Sequence, residues 1–250
     1  MPTKTKRAEK VRSVARERFG FEELSPGQEL AISSVLDKRD TLAVMPTGSG
    51  KSAIYQIAGL LMPGATLVVS PLIALQRDQV ESIEGADAGD ATEINSTVSE
   101  SAREEVFARL ADDEIEFILL APEQFSNDET MARLSESKVS LIVVDEAHCI
   151  SEWGHDFRPD YLRLGAVVDQ LGHPTVLALT ATASPPVREE IVERLGMRDA
   201  NVIVQGFDRP NLDLAVETFA DEDDKREALL ERVMASRKPG IVYTATRKAT

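Results

Sequence analysis

An alternation limits this chain more than any other feature. Six short apolar runs, Thr41–Met45, Thr66–Ser70, Glu116–Leu120, Leu141–Asp145, Thr175–Leu179 and Asn201–Val204, read as strands. Segments with helical spacing lie between them: Lys51–Leu61, Ala74–Ile83, Glu100–Ala111, Met131–Leu134, Tyr161–Leu171 and Pro186–Leu195. Strands that are apolar on both faces need helices above and below, and right-handed crossovers wind such units into an α/β domain with a mostly parallel central sheet. Ahead of the first strand, Val11, Val14, Ala15, Arg18 and Phe19 are spaced for a helix docked on that domain.

Past Phe207–Asn211 (FDRPN) the pattern changes. A strand is expected at Leu212–Phe219, a charged helix at Asp223–Ser236 and a further strand at Ile241–Thr244. Some 40 residues do not readily bury a core of their own, so this stretch reads as the opening of a second α/β domain.

Composition removes other classes. The 250 residues are 42% hydrophobic and 28% charged, which suits a globular protein rather than a disordered one. No run reaches the ~18 apolar residues of a membrane span, and the N-terminus lacks the apolar core of a secretory signal. One cysteine, Cys149, allows no internal disulfide, and three histidines beside it argue against structural zinc. A reducing, cytoplasmic setting is expected, nucleoid-associated in a prokaryote, with the chain a monomer. The net charge of −15 excludes a protein that coats a polyanion by global electrostatics. Any nucleic-acid contact must be local and salt-sensitive.

Two motifs carry chemistry. Met45–Ser52, MPTGSGKS, follows an apolar strand and opens a helix, as a P-loop requires. Gly48 and Gly50 let backbone N–H groups crowd phosphate oxygens, together with those of Thr47 and Ser49. Lys51 reaches the β- and γ-phosphates, and the Ser52 hydroxyl takes Mg²⁺. The general pattern has Gly where Met45 stands. The second motif, Leu141–His148, ends a buried strand in two carboxylates. Asp145 is placed to hold Mg²⁺ and Glu146 to polarise the attacking water. His148 either couples nucleotide state to neighbouring motifs or is an interior histidine. Together the motifs indicate a Mg²⁺-dependent NTPase and leave its job open.

With these motifs, VVSPLIALQRDQV (68–80), INST (94–97), APEQF (121–125), DEAHCISEWGHDFRPDY (145–161), LTATA (179–183) and FDRPN (207–211) closely resemble a RecQ-family DNA helicase, from about Phe19 onward. The resemblance implies a superfamily 2 motor of two RecA-like P-loop lobes that moves 3′ to 5′ on DNA. Residues 1–207 would then be the first lobe and 208–250 the start of the second. It also implies that the nucleotide is ATP and that Gln28 reads adenine, with Phe21 packed on the ring; the family often has a basic residue where this chain has Ser25. Trp153, His155, Asp156, Phe157 and Arg158 match an aromatic-rich loop that couples DNA to the ATP site. There Trp153 and Phe157 would stack on bases, at about 1–3 kcal/mol each. Arg158 would meet a phosphate or, without DNA, the acids of DEAH. Ser70, Pro71, Asn95 and Ser96 match motifs on the strand backbone, which carry no sequence information and so suit a translocase. Thr180 and Thr182 would link hydrolysis to movement, and Arg209 would lie at the lobe junction and touch DNA.

The family's arginine finger, worth about 10³–10⁵ in rate, belongs to second-lobe motifs that these residues do not include. The expectation is a chain that binds ATP-Mg²⁺ but turns it over slowly and unwinds poorly by itself. Two alternatives remain: a non-catalytic nucleotide- or DNA-binding module, and an RNA helicase of the DEAD/DEAH type, against which WGHDFRP speaks.

Overall fold

The computed structural model describes residues 4–86, 88–152, 156–206, 212–237 and 239–244. The chain divides into two units, Met1–Phe207 and Asp208–Thr250.

The first unit is an all-parallel sheet of seven strands. In chain order they are β1 (Thr41–Val44), β2 (Ala65–Val69), β3 (Ala91–Ile94), β4 (Phe117–Leu120), β5 (Val139–Val144), β6 (Thr175–Thr180) and β7 (Asn201–Val204). Their spatial order is β3-β4-β2-β5-β6-β1-β7. Eight helices accompany them: α1 (Lys4–Phe19), α2 (Pro26–Leu36), α3 (Lys51–Leu61), α4 (Ile73–Gly85), α5 (Glu100–Ala111), α6 (Asp128–Glu136), α7 (Leu164–Gln170) and α8 (Pro185–Arg194). Strand periodicity of two sorts the core. Ala43, Met45, Leu141 and Val143 pack with Val11, Ile32, Ile54 and Ile83, from α1 to α4. Leu42, Val44, Ile142 and Val144 pack with Phe107, Leu134, Val168 and Ile191, from α5 to α8. The first four helices thus cover one face and the last four the other.

The six expected strands are present within a residue or two of their expected ends. β3 is an addition at the sheet edge: in ATEI the two middle residues are only partly buried, so no apolar run announces it. α2 is also an addition. Ser25 caps it, accepting from the Gln28 N–H while the Gln28 side chain accepts from the Ser25 N–H. That reciprocal cap gives Ser25 a structural use of its own.

In the second unit, α9 (Glu222–Ala235) is capped by Asp221, which accepts from the N–H groups of Asp223 and Asp224. The strands expected at Leu212–Phe219 and Ile241–Thr244 do not form among the described residues. A strand exists only where a neighbouring strand takes its N–H and C=O groups, and neither segment joins a sheet among the described residues. Leu214, Val216 and Tyr243 are almost fully exposed there.

Candidate nucleotide site and strand-facing loops

Because every strand runs the same way, each motif emerges at one edge, the carboxyl edge where open α/β sheets bind ligands. The loop after β1 is the P-loop. Met45, the residue after β1, continues its packing and its hydrogen bonding to β6: its N–H donates to the Thr180 carbonyl at 3.0 Å and its side chain is wholly buried. The first motif position therefore serves the core and not the phosphate cradle, which explains the missing glycine.

Gly48 (φ 78°) and Gly50 (φ 74°) are both left-handed, a conformation that side chains resist. Open space lies where a Cβ of Gly48 would project; a Cβ on Gly50 would come within 2.6 Å of Gln28 Nε2. Gly50 caps α3 with no side-chain hydrogen bond. The first N–H groups of an eleven-residue helix are therefore available to an anion. Lys51 folds back across the loop, its Nζ donating to the Met45 carbonyl at 3.2 Å.

Gln28 sits differently from the simple expectation of an amide open to a base. Its Oε1 accepts from the Ser25 N–H at 2.8 Å, and its Nε2 donates to the carbonyls of Ser49 (3.2 Å) and Gly50 (3.0 Å). The amide ties α2 to the P-loop. Phe21 is half-exposed and stacks on Phe19, with ring centroids 6.1 Å apart.

The acids of DEAH follow β5. The Asp145 N–H still donates to the Val69 carbonyl at 2.9 Å, and Tyr161 Oη donates to the Asp145 carbonyl at 3.0 Å. Burial, and then the charge of Glu146, push the Asp145 carboxyl up; the Glu146 N–H, the Lys51 charge and a Gln79 hydrogen bond oppose the rise. Glu146 adopts a left-handed backbone (φ 47°), a strained choice for this residue type. Its carboxylate is held low, chiefly by its hydrogen bond from His148.

His148 is the connecting residue. Its Nδ1 lies 3.0 Å from Thr180 Oγ1 and 3.2 Å from Glu146 Oε2. The Thr180 hydroxyl donates its one proton to the Thr182 carbonyl at 3.1 Å, so toward His148 it must accept. Nδ1 therefore carries a proton shared between Glu146 of DEAH and Thr180 of the LTATA segment. The neighbouring Cys149 sulfur first, and the Glu146 carboxylate second, push the His148 pKa up to about 10. Thr180 is buried and Thr182 exposed.

The strand-facing loops are less literal. Ser70 and Asn95 are fully buried, so neither side chain is on the surface. Pro71 is partly exposed and Ser96 exposed. Arg158 does not pair with the DEAH acids; its guanidinium donates to the Pro71 carbonyl at 2.8 Å. A fixed carbonyl within reach takes the donor, because Glu146 is already engaged by His148. Asp156 and Phe157 are exposed. Trp153, His155 and Arg209 lie outside the described residues. Sequence reasoning assigns no role of their own to Tyr161 or Gln79, although both lie in the quoted motifs; each bonds to Asp145 across elements, a contact that spacing within a motif does not encode.

Comparison with known proteins decides the family. The DEAD/DEAH box helicase profile matches residues 25–191. The chain belongs to the DEAD/DEAH box helicase family. This helicase-family chain is 41% identical over 230 residues to the probable ATP-dependent DNA helicase RecS of Bacillus subtilis, covering 92% of the chain and 46% of the relative. It is 37% identical over 236 residues to the ATP-dependent DNA helicase RecQ of Haemophilus influenzae, covering 94% of the chain and 38% of that protein. It thus spans less than half the length of these relatives. Among solved structures, the Pyrococcus furiosus Hef helicase domain superposes with a TM-score of 0.58 at 24% identity, covering 75% of the chain and 39% of Hef. The helicase MrfA bound to DNA gives 0.63 at 17%, covering 82% of the chain and 30% of MrfA. At these identities the likeness is one of fold. Among the described residues, no helix is long and apolar enough to cross a membrane.

Proposed function

We propose that residues 1–207 are the ATP-binding RecA-like lobe of a RecQ-like 3′–5′ DNA helicase, and 208–250 the opening of its second lobe. The observation that carries the reading is the joined site at one sheet edge: a bare helix N-terminus behind two left-handed glycines, and an acid pair whose Glu146 His148 links to Thr180. In this reading the triphosphate lies on the N–H groups of Thr47–Ser52 and draws Lys51 off its carbonyls. The donor set suits Mg²⁺: Ser52 and Asp145 offer hard oxygens, and the crowded acids leave buried negative charge for a dication to offset. The ion would neutralise phosphate charge. Glu146 accepts the proton of the attacking water, and His148 passes the state of the acid pair to the LTATA segment. Single-stranded DNA lies over the loops after β2, β3 and β4, with Phe157 offering a stacking face. The chain acts as a monomer in the cytoplasm.

The test is ATP binding and turnover by the purified chain, with and without single-stranded DNA, beside Lys51→Ala. Loss of ATP binding in the variant, with wild-type turnover rising on DNA, supports the motor. Slow turnover by these residues alone is expected without a second-lobe arginine finger; binding whose turnover stays absent even when the second lobe is supplied favours a non-catalytic module, and stimulation by single-stranded RNA over DNA favours an RNA helicase. Unchanged ATP affinity in Lys51→Ala would sink the site itself.

A further inference from the structure

Among the wholly buried polar side chains at the carboxyl edge that belong to neither the P-loop nor DEAH, one bridges two loops. Gln76, in the first turns of α4, is 0% exposed. Its Nε2 donates to the Ser70 carbonyl at 3.0 Å, and its Oε1 accepts from Asn95 Nδ2 at 3.3 Å. Asn95 Oδ1 in turn accepts from the Thr97 N–H (3.0 Å) and the Thr97 hydroxyl (2.6 Å). One chain of hydrogen bonds thus runs from the loop after β2 to the loop after β3. It crosses β4, which lies between those strands in the sheet. The backbone ties each side to β4, with the Ser70 N–H donating to the Leu120 carbonyl and the Ala121 N–H to the Ile94 carbonyl, and the side-chain route adds a direct link between the two loops.

The network also sorts the loop residues by what they can do. Asn95 spends both amide groups inward, and Thr97 spends its N–H and hydroxyl proton on Asn95. Ser96, exposed between them, is the residue whose hydroxyl remains for an outside partner. On the other loop, Arg158 pins the Pro71 carbonyl. Two short loops on separate strands are each braced from behind, and Gln76 joins the braces. An apolar residue of similar length would fill the same space, yet would strand the Ser70 carbonyl and the Asn95 amide, at a cost for each buried group.

We infer that Gln76 is a positioning residue for nucleic-acid binding: it fixes the spacing between the loops after β2 and β3 so that both meet the backbone of one single strand. Ser96 supplies the outward hydroxyl, and Asn95 acts through it. The inference rests on the DNA reading proposed above and deepens it. Phosphate groups repeat at a set spacing along a strand. Two independently moving loops would lose freedom on binding, whereas two braced loops have already lost it.

The experiment measures affinity of the full chain for a fluorescent oligothymidylate at fixed low salt, with ATP affinity and melting temperature measured in parallel. The variants are Gln76→Met, Asn95→Ala, Ser96→Ala and Gln76→Met/Ser96→Ala. The expected result is a roughly five- to tenfold loss of DNA affinity in Gln76→Met, with ATP affinity unchanged. The Ser96→Ala loss should shrink or vanish in the Gln76→Met background, because a misplaced hydroxyl contributes nothing. Such non-additivity is not expected of a residue that only supports the fold. Asn95→Ala cuts the same bridge from its far end and should reproduce the DNA defect, so the inference stays testable if Gln76→Met does not fold. DNA affinity that is unchanged, or losses that add in full, would overturn the role of Gln76 and leave the DNA reading standing. A wild-type chain that does not bind the oligonucleotide would overturn both.

Discussion

The two edges of the sheet each hold a carboxylate–histidine pair, and the pairs are built to different ends. At the amino edge Asp40 precedes β1 and meets His173 Nε2 at 2.9 Å. The same carboxylate accepts from the N–H groups of Val176 (2.9 Å) and Arg198 (2.6 Å), and the Asp40 carbonyl accepts from Asn201. Three neighbouring segments, at β1, β6 and β7, thus converge on one buried acid through backbone groups that cannot turn away. At the carboxyl edge Glu146 and His148 are partly exposed, and their partners are the side chains of Thr180, Cys149 and one another. Side-chain partners can be exchanged. The first pair is built as a staple, and the second suits the relay proposed for it.

The largest effect expected from breaking this contrast is on the staple. Asp40→Ala leaves the buried Val176 N–H, the part-buried Arg198 N–H and His173 without their acceptor, and each buried group left unpaired costs about 1–3 kcal/mol. Urea unfolding should show that loss, while the ATP affinity of the folded fraction stays at its wild-type value. A variant as stable as wild type would mean that water or a neighbouring acid replaces Asp40.

How much of this was readable beforehand divides along a similar line. Met45–Ser52 and Leu141–His148 are contiguous, and a strand followed by glycines or by paired acids declares its position at the carboxyl edge. Their placement follows from local chemistry. Strand β3 was silent because Glu93 sits inside it, and α2 because its exposed Leu30 and buried Ser34 blur any apolar stripe. The segments 212–219 and 241–244 show the converse: their apolar pattern is that of strands, yet neither pairs into a sheet among the described residues. Gln76, Gln79 and Tyr161 were unreadable for another reason. Each acts on a residue from a different strand, and no spacing within one element encodes that contact. The buried Asn95 belongs with them: its residue type suits a phosphate contact, and only tertiary structure reveals that its amide faces inward.

The relay gives the second-largest effect, in the opposite currency. Glu146→Gln keeps the shape and exchanges a carboxylate for an amide at a partly exposed position, so the unfolding midpoint should move little. Turnover should fall by about 10²-fold or more if Glu146 accepts the proton of the attacking water. Steady-state hydrolysis in the presence of the complete set of lobes, next to an equilibrium ATP-binding titration, separates the two quantities. Weaker ATP binding with unchanged turnover per bound ATP would reverse the assignment.

The smallest effect is on protonation, and it tests the relay most directly. His148 has a folded pKa raised to about 10 from an ordinary 6.5. Its stabilising contribution is therefore complete below pH 6.5 and disappears as pH climbs through about 10. Glu146 works in the other direction: its folded pKa lies below the ordinary 4.5, so its contribution is complete above 4.5 and fades as pH falls through the folded value. Between those limits the pair is doubly charged. Heteronuclear NMR of the His148 ring should then find both nitrogens protonated at pH 8. Cys149→Ala and Glu146→Gln should each bring its titration down toward 6.5. A wild-type ring that titrates near 6.5 would mean that His148 is neutral at work. It would then hold Thr180 by a neutral Nδ1–H alone, and the charge of Glu146 would have no part in reaching the LTATA segment.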